Sequence, residues 1–112
     1  MEERLPVVPQ RHYVCEVAEL PEGTGKECVV GDRVVAVFKL GADVVALDGI
    51  CPHAGGPLAQ GMVRHEIVTC PWHGWQYHVR TGQHQLNPRI CVATFGVVVA
   101  DGKVYVDLPD GE

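Results

Sequence analysis

Along most of the chain the apolar residues come in short runs or in alternation, the period-two habit of β-strands. No segment keeps a long 3.6-residue apolar period with helix caps. The run Val34-Val35-Ala36-Val37-Phe38 is flanked by Gly31-Asp32 and Gly41-Ala42, where two-residue hairpin turns belong, and Val44-Val45-Ala46-Leu47 makes the return strand. Gly96-Val97-Val98-Val99 and Val104-Tyr105-Val106 flank Asp101-Gly102, a second hairpin signal. Tyr13 to Val17 and Glu27 to Val30 add two strands, separated by a Pro21-Glu22-Gly23-Thr24-Gly25 loop. The pattern predicts an all-β protein. Residues 48–86 depart from it, because glycine, proline, histidine and tryptophan replace valine there. That composition marks an insertion hung between strands of a β scaffold.

Composition narrows the function. A chain of 112 residues, 46% hydrophobic, suits one domain spanning residues 1–112. The formal net charge of −5 comes without any Lys/Arg stripe able to neutralise phosphates. Nucleic acid is therefore not expected, and a partner with a basic docking face is. No apolar run approaches the roughly 20 residues of a membrane span. The opening MEERLPVVPQ lacks the basic start and apolar stretch of a signal peptide, so a soluble, cytoplasmic protein without a membrane partner is expected. The five cysteines, Cys15, Cys28, Cys51, Cys70 and Cys91, lack the dense spacing of a secreted disulfide scaffold. Burial as small hydrophobes is the expectation for Cys15, Cys28 and Cys91. His12, His65 and His84 are expected on the surface or in loops.

The remaining two cysteines pair with histidines. Cys51 stands two positions before His53, Cys70 three positions before His73, and a proline follows each cysteine. Sixteen residues separate His53 from Cys70, and they include Met62-Val63-Arg64 and Glu66-Ile67-Val68-Thr69 with His65 between. A hairpin of that length folds back and can set the two Cys/His loops side by side. A zinc finger commonly draws a Cys pair from one element and a His pair from another. Mixed loops suit instead a two-iron cluster, each loop giving its Cys to one iron and its His to the other. Zinc in a structural interaction module remains the alternative from a different class, and a metal-free relic of the motif a third.

C-x-H, sixteen residues and C-x-x-H resembles the signature of Rieske [2Fe-2S] proteins. Pro52, Pro71, Gly55-Gly56, Pro57-Leu58, the block His73-Gly74-Trp75-Gln76-Tyr77 and Thr81-Gly82 extend the likeness, as do the flanking hairpins. Nearly the whole chain is covered. The resemblance implies one [2Fe-2S] cluster with Cys51 and Cys70 on one iron and His53 and His73 on the other. It also implies a Rieske-like antiparallel β sandwich or partly open barrel bearing a cluster-binding loop subdomain at approximately 48–86. Its expected role is a ferredoxin, an electron carrier rather than an enzyme, between a flavin-dependent NAD(P)H reductase and a terminal oxygenase. The small subunit of a nitrite reductase-like complex is the alternative within the redox class. No nucleotide-binding glycine fingerprint, flavin site or mononuclear-iron triad is present to suggest catalysis.

Charge counting bears on the potential. An oxidised two-iron, two-sulfide core carries two positive charges, which two thiolates cancel, whereas four thiolates leave the site doubly negative. Mixed ligation therefore eases reduction, and Rieske centres span roughly −150 to +300 mV, against about −400 mV for plant-type ferredoxins. In the respiratory members a serine hydroxyl bonds to a bridging sulfide, a tyrosine bonds to a cysteine sulfur, and an extra cysteine in each loop forms a disulfide. The corresponding residues here are Trp75, Tyr77, and Gly56 with Trp72. The tyrosine bond alone can persist, so a potential in the lower part of the Rieske range is expected. Gly55, Gly56 and Gly74 are expected to let the backbone approach the sulfides. Trp72 admits two readings, packing or docking, within an apolar tip of Pro52, Leu58, Pro71 and Trp72. His78 stands where such ferredoxins often carry an acid.

Overall fold

The computed structural model describes residues 9–52, 55–72 and 74–109. Among them the strands are β1 (Pro9–Glu16), β2 (Gly25–Val30), β3 (Arg33–Leu40), β4 (Asp43–Asp48), β5 (Met62–Arg64), β6 (Ile67–Thr69), β7 (Gln76–His78), β8 (Thr94–Ala100) and β9 (Lys103–Pro109). Two single turns of 3-10 helix, Val17–Glu19 and Leu58–Gln60, are the only helical pieces among the described residues. Six strands form an antiparallel sheet in the order β1-β9-β8-β4-β3-β2, and three form a small sheet in the order β5-β6-β7. The large sheet curls until its edge strands β1 and β2 meet, giving the nearly closed barrel expected of an all-β chain.

The short turns fall where their residues require them. Val30 pairs with Arg33 and Leu40 with Asp43, leaving Gly31-Asp32 and Gly41-Ala42 as two-residue connections. Asp101 and Gly102 both have positive φ, +55° and +75°, the geometry whose twist matches the flanking strands. β1 starts earlier than its apolar pattern implied. Gln10, Arg11 and His12 precede the strand predicted from Tyr13, yet they pair with β9 at the sheet edge, and the Arg11 Nε lies 2.8 Å from Asp107 Oδ1 across the strand pair. An edge strand tolerates such polar faces because one side remains in water.

β3 is apolar from Val34 to Phe38, and both of its faces are buried from Val35 to Phe38. Val35 and Val37 point into the barrel with Cys15, Cys28, Ala46, Val104 and Val106. Ala36 and Phe38 point the other way, joining Leu47, Leu58, Val68 and Tyr77 in a second core that also contains Cys51 and Cys70. Phe38 and Leu47 are fully buried, worth about 1.5–3 kcal/mol each. The second core thus seats the insertion on the barrel. Backbone bonds tie it down at both ends: Gly49 donates to Val34 and Asp48 to Ala93, each at 2.8 Å. The insertion reaches past residue 86, since Val92 donates to Gly82 and Ile90 packs on the same core.

One turn is built from unexpected residues. Arg64 pairs with Ile67, so His65 and Glu66 are the turn, and Glu66 is not a strand residue. Both have positive φ, +53° and +66°, which costs a residue with a side chain free energy. Glu66 is held there by Arg80, whose Nε lies 3.1 Å from its carboxylate. His65 is exposed. Asparagine, which visits this region more readily than most residues with a side chain, is therefore expected at this exposed position to stabilise the fold slightly, His65→Asn by at most about 0.5 kcal/mol. Thermal unfolding should read a rise of at most a few degrees, and a fall would refute the strain argument.

Candidate metal centre

The two loops expected to carry ligands are one backbone turn used twice. In the first, the amide of Cys51 donates to Gly56 O and that of Gly55 to Cys51 O, both at 2.8 Å. In the second, Cys70 donates to Trp75 O at 2.8 Å and Gly74 to Cys70 O at 3.0 Å. Gly55 and Gly74 occupy the same step with φ of +79° and +78°. Among the described residues nothing comes within 4 Å of a Cβ built on either, and the left-handed backbone is sufficient reason for glycine there. The repeat is visible in CPHAGG and CPWHGW once they are aligned on Cys, Pro and Gly. Cys/His spacing hid it, because His53 is third in one loop and His73 fourth in the other.

The elements around each loop explain its position. Cys70 follows β6 and Gln76 opens β7, so the second loop is the tip of a hairpin. The first follows β4, and a bridge between Ile50 and Pro57 closes it. Gly56 is where the loops meet. A Cβ built on it would lie 2.7 Å from Cys70 Sγ and 3.2 Å from Trp72 Cβ. A side chain here would force a neighbour to shift, and Gly56 faces Trp72 across the gap.

Both thiols are buried, Cys51 and Cys70 being 1% and 2% exposed. The Tyr77 hydroxyl, fully buried, lies 3.3 Å from Cys51 Sγ. Burial first, and then the bond to Cys51, push the phenol above its ordinary value, so it keeps its hydrogen. Against a metal-bound thiolate, which has no hydrogen, Tyr77 is necessarily the donor. Trp75 is half-buried against the second core, and its ring meets His84 edge to face at 4.8 Å. His53 and His73 lie outside the described residues. Among the described residues there is no group of three or more His, Cys, Asp and Glu that could hold a metal, as follows when half of an expected four-ligand set is outside them.

Several expectations about neighbouring residues are corrected. Pro52, Pro71 and Trp72 are exposed, but Leu58 is fully buried, because the 3-10 turn that it opens directs it inward onto the second core. Cys15 and Cys28 are buried as expected, and burial pushes the Cys15 thiol up to about 12. Cys91 is exposed instead, its sulfur 3.8 Å from Pro88 O. His84 lies in a loop, as expected, but its ring is half-buried against Trp75 and Tyr77, a contact no local sequence pattern signals. His78 lies 3.8 Å from Glu66 in a surface group with Arg80 and Asp43.

Residues 10–96 match the Rieske [2Fe-2S] domain. The chain belongs to the Rieske [2Fe-2S] family. Its cofactor is one [2Fe-2S] cluster, which suits a site of two buried thiols, one hydrogen-bonded by a phenol, and a glycine leaving the space between the loops clear. Within this family the chain is 29% identical over 104 residues to the 3-phenylpropionate/cinnamic acid dioxygenase ferredoxin subunit of Escherichia coli K12, covering 91% of this chain and 97% of that one. It is 35% identical over 94 residues to human Apoptosis-inducing factor 3, covering 83% of this chain but 16% of that much longer protein. Among solved structures, the Sphingomonas yanoikuyae B1 ferredoxin superposes with a TM-score of 0.81 at 27% identity, over 89% of this chain and all of the other. The Rieske architecture of a barrel plus a small second sheet is thus shared. No helix of the described residues is long and apolar enough to cross a membrane.

Proposed function

We propose that the chain is a cytoplasmic Rieske-type ferredoxin, carrying single electrons from a flavin-dependent NAD(P)H reductase to a terminal oxygenase. Cys51 and Cys70 hold one iron, and His53 and His73 hold the other. The observation that carries this reading is the doubled turn, which brings two buried thiols into adjoining loops each bearing one histidine. The near-complete coverage of a dioxygenase ferredoxin subunit supports the carrier role over a catalytic one.

The bound cluster supplies a one-electron couple. The chain's own residues do the rest. The second core and the closed loops keep water from the thiolates, and the Tyr77 hydroxyl stabilises charge on the Cys51 sulfur. Trp72, 56% exposed between the expected ligands Cys70 and His73, supplies apolar surface for a brief encounter with the partner. The net charge of −5 favours a basic face opposite. Anaerobic reduction of the purified protein tests the assignment: a brown protein with a reduced-state paramagnetic signal of low average g is expected. A colourless zinc protein would overturn it.

Two further outcomes follow. Electron transfer to the oxygenase should slow about tenfold between about 50 and about 500 mM salt, as screening removes the steering term. A rate indifferent to salt would discard the electrostatic part. The midpoint potential should lie in the lower part of the Rieske range, and Trp75→Ser should raise it by supplying a hydroxyl near the sulfides. Redox titration checks both, and an unmoved potential would mean that the hydroxyl does not reach a sulfide.

A further inference from the structure

His84 combines three features that plain packing would not require. Its backbone forms an isolated antiparallel bridge with Tyr77, which puts both side chains on one face. Its ring meets Tyr77 edge to face, centroids 5.3 Å apart at 89°, while also meeting Trp75 at 87°. Its Nδ1 accepts two backbone amides, those of Leu86 at 3.0 Å and Asn87 at 3.1 Å. An Nδ1 that accepts twice carries no hydrogen, so the ring hydrogen sits on Nε2. That atom is buried and has no hydrogen-bond partner among the described residues. The ring is therefore fixed in plane and in orientation by its own turn, and both aromatic rings stand nearly perpendicular to it.

We propose that His84 is a positioning residue for Tyr77: it clamps the phenol ring so that the hydroxyl stays on Cys51 Sγ, and so sets part of the reduction potential without touching the cluster. The inference rests on the ligand assignment above. Tyrosine has two soft torsions, and a hydrogen bond to sulfur at 3.3 Å weakens quickly as the ring drifts. Leu58, Val68 and Val79 belong to the same core as Tyr77, but apolar side chains exclude water without fixing an orientation. A histidine here adds a ring that the backbone itself holds still. Phenylalanine in its place would leave the Leu86 and Asn87 amides without their acceptor, and asparagine would satisfy them but leave no ring.

Those two replacements make the test. His84→Asn should lower the equilibrium constant for reduction by up to about tenfold, which is 59 mV for a one-electron couple. His84→Phe should shift it in the same direction by less, and serves alone if the asparagine variant does not fold. In a Tyr77→Phe background, which already lacks the hydroxyl, neither replacement should move the potential. A folded, brown His84→Asn protein with unshifted potential would overturn the inference alone, since a merely structural residue changes melting temperature and not potential. A shift persisting without the Tyr77 hydroxyl would overturn it too, because His84 would then act by another route. A colourless wild-type protein would overturn this inference together with the ligand assignment.

Discussion

Cys70→Ser yields a protein without its cluster: iron and sulfide fall to near zero, the visible absorption disappears, and the melting temperature drops. A serine hydroxyl is not ionised at neutral pH and is a poor replacement for thiolate at iron. The stability loss has two parts. Cluster binding that favours only the folded state is withdrawn, and a hydroxyl is left in a site 2% exposed, at about 1–3 kcal/mol if it finds no partner. Two controls separate position from residue type. Cys15→Ser, in the barrel core, should cost stability while iron content holds, and Cys91→Ser, on the surface, should change neither. Full iron content in Cys70→Ser would contradict the assignment of this sulfur as a ligand.

Gly56→Ala should lose most of its cluster, whereas Gly55→Ala should keep it. The neighbours differ in what glycine does for each. At Gly56 the added carbon lies 2.7 Å from Cys70 Sγ and 3.0 Å from Trp72 Cγ. That sulfur is one bond from its own Cβ, on a loop closed by two hydrogen bonds, and cannot swing aside without abandoning its place. The loops must separate, at about 1–3 kcal/mol of overpacking, and the separation falls on the distance a shared cluster has to span. At Gly55 no described residue meets the added carbon, and the cost is backbone strain at φ +79°, about 1–2 kcal/mol. Iron per chain read beside the melting temperature distinguishes them. Gly56→Ala with wild-type iron content would show that the loops do not need this close approach.

The candidate site is partly legible in the sequence. Cys51, His53, Cys70 and His73 stand out because few chemistries ask for a thiol and an imidazole delivered twice, and Tyr77 followed from the resemblance. Residues whose role depends on what lies across space did not stand out. Leu58 reads as a tip residue beside Pro57, and the inward course of a single 3-10 turn buries it completely. His84 sits in a polar stretch, GQHQLN, which reads as loop. Its ring acquires partners only because β7 brings Tyr77 alongside.

Tight turns and strand periodicity needed nothing beyond local residue chemistry. Gly31-Asp32, Gly41-Ala42 and Asp101-Gly102 each carry the backbone freedom that a two-residue hairpin demands, and the strands between them alternate or run apolar accordingly. An unbroken apolar run such as Val35 to Phe38 is compatible with many packings. Assembly of the barrel decided that Val35 and Val37 line its interior while Ala36 and Phe38 join the core that holds Cys51 and Cys70. Assembly likewise recruited the polar β1 as an edge through β9, and set Gly56 against the sulfur of Cys70. Turns depend on torsions within a few residues, while burial and close approach depend on surfaces brought together from distant parts of the chain.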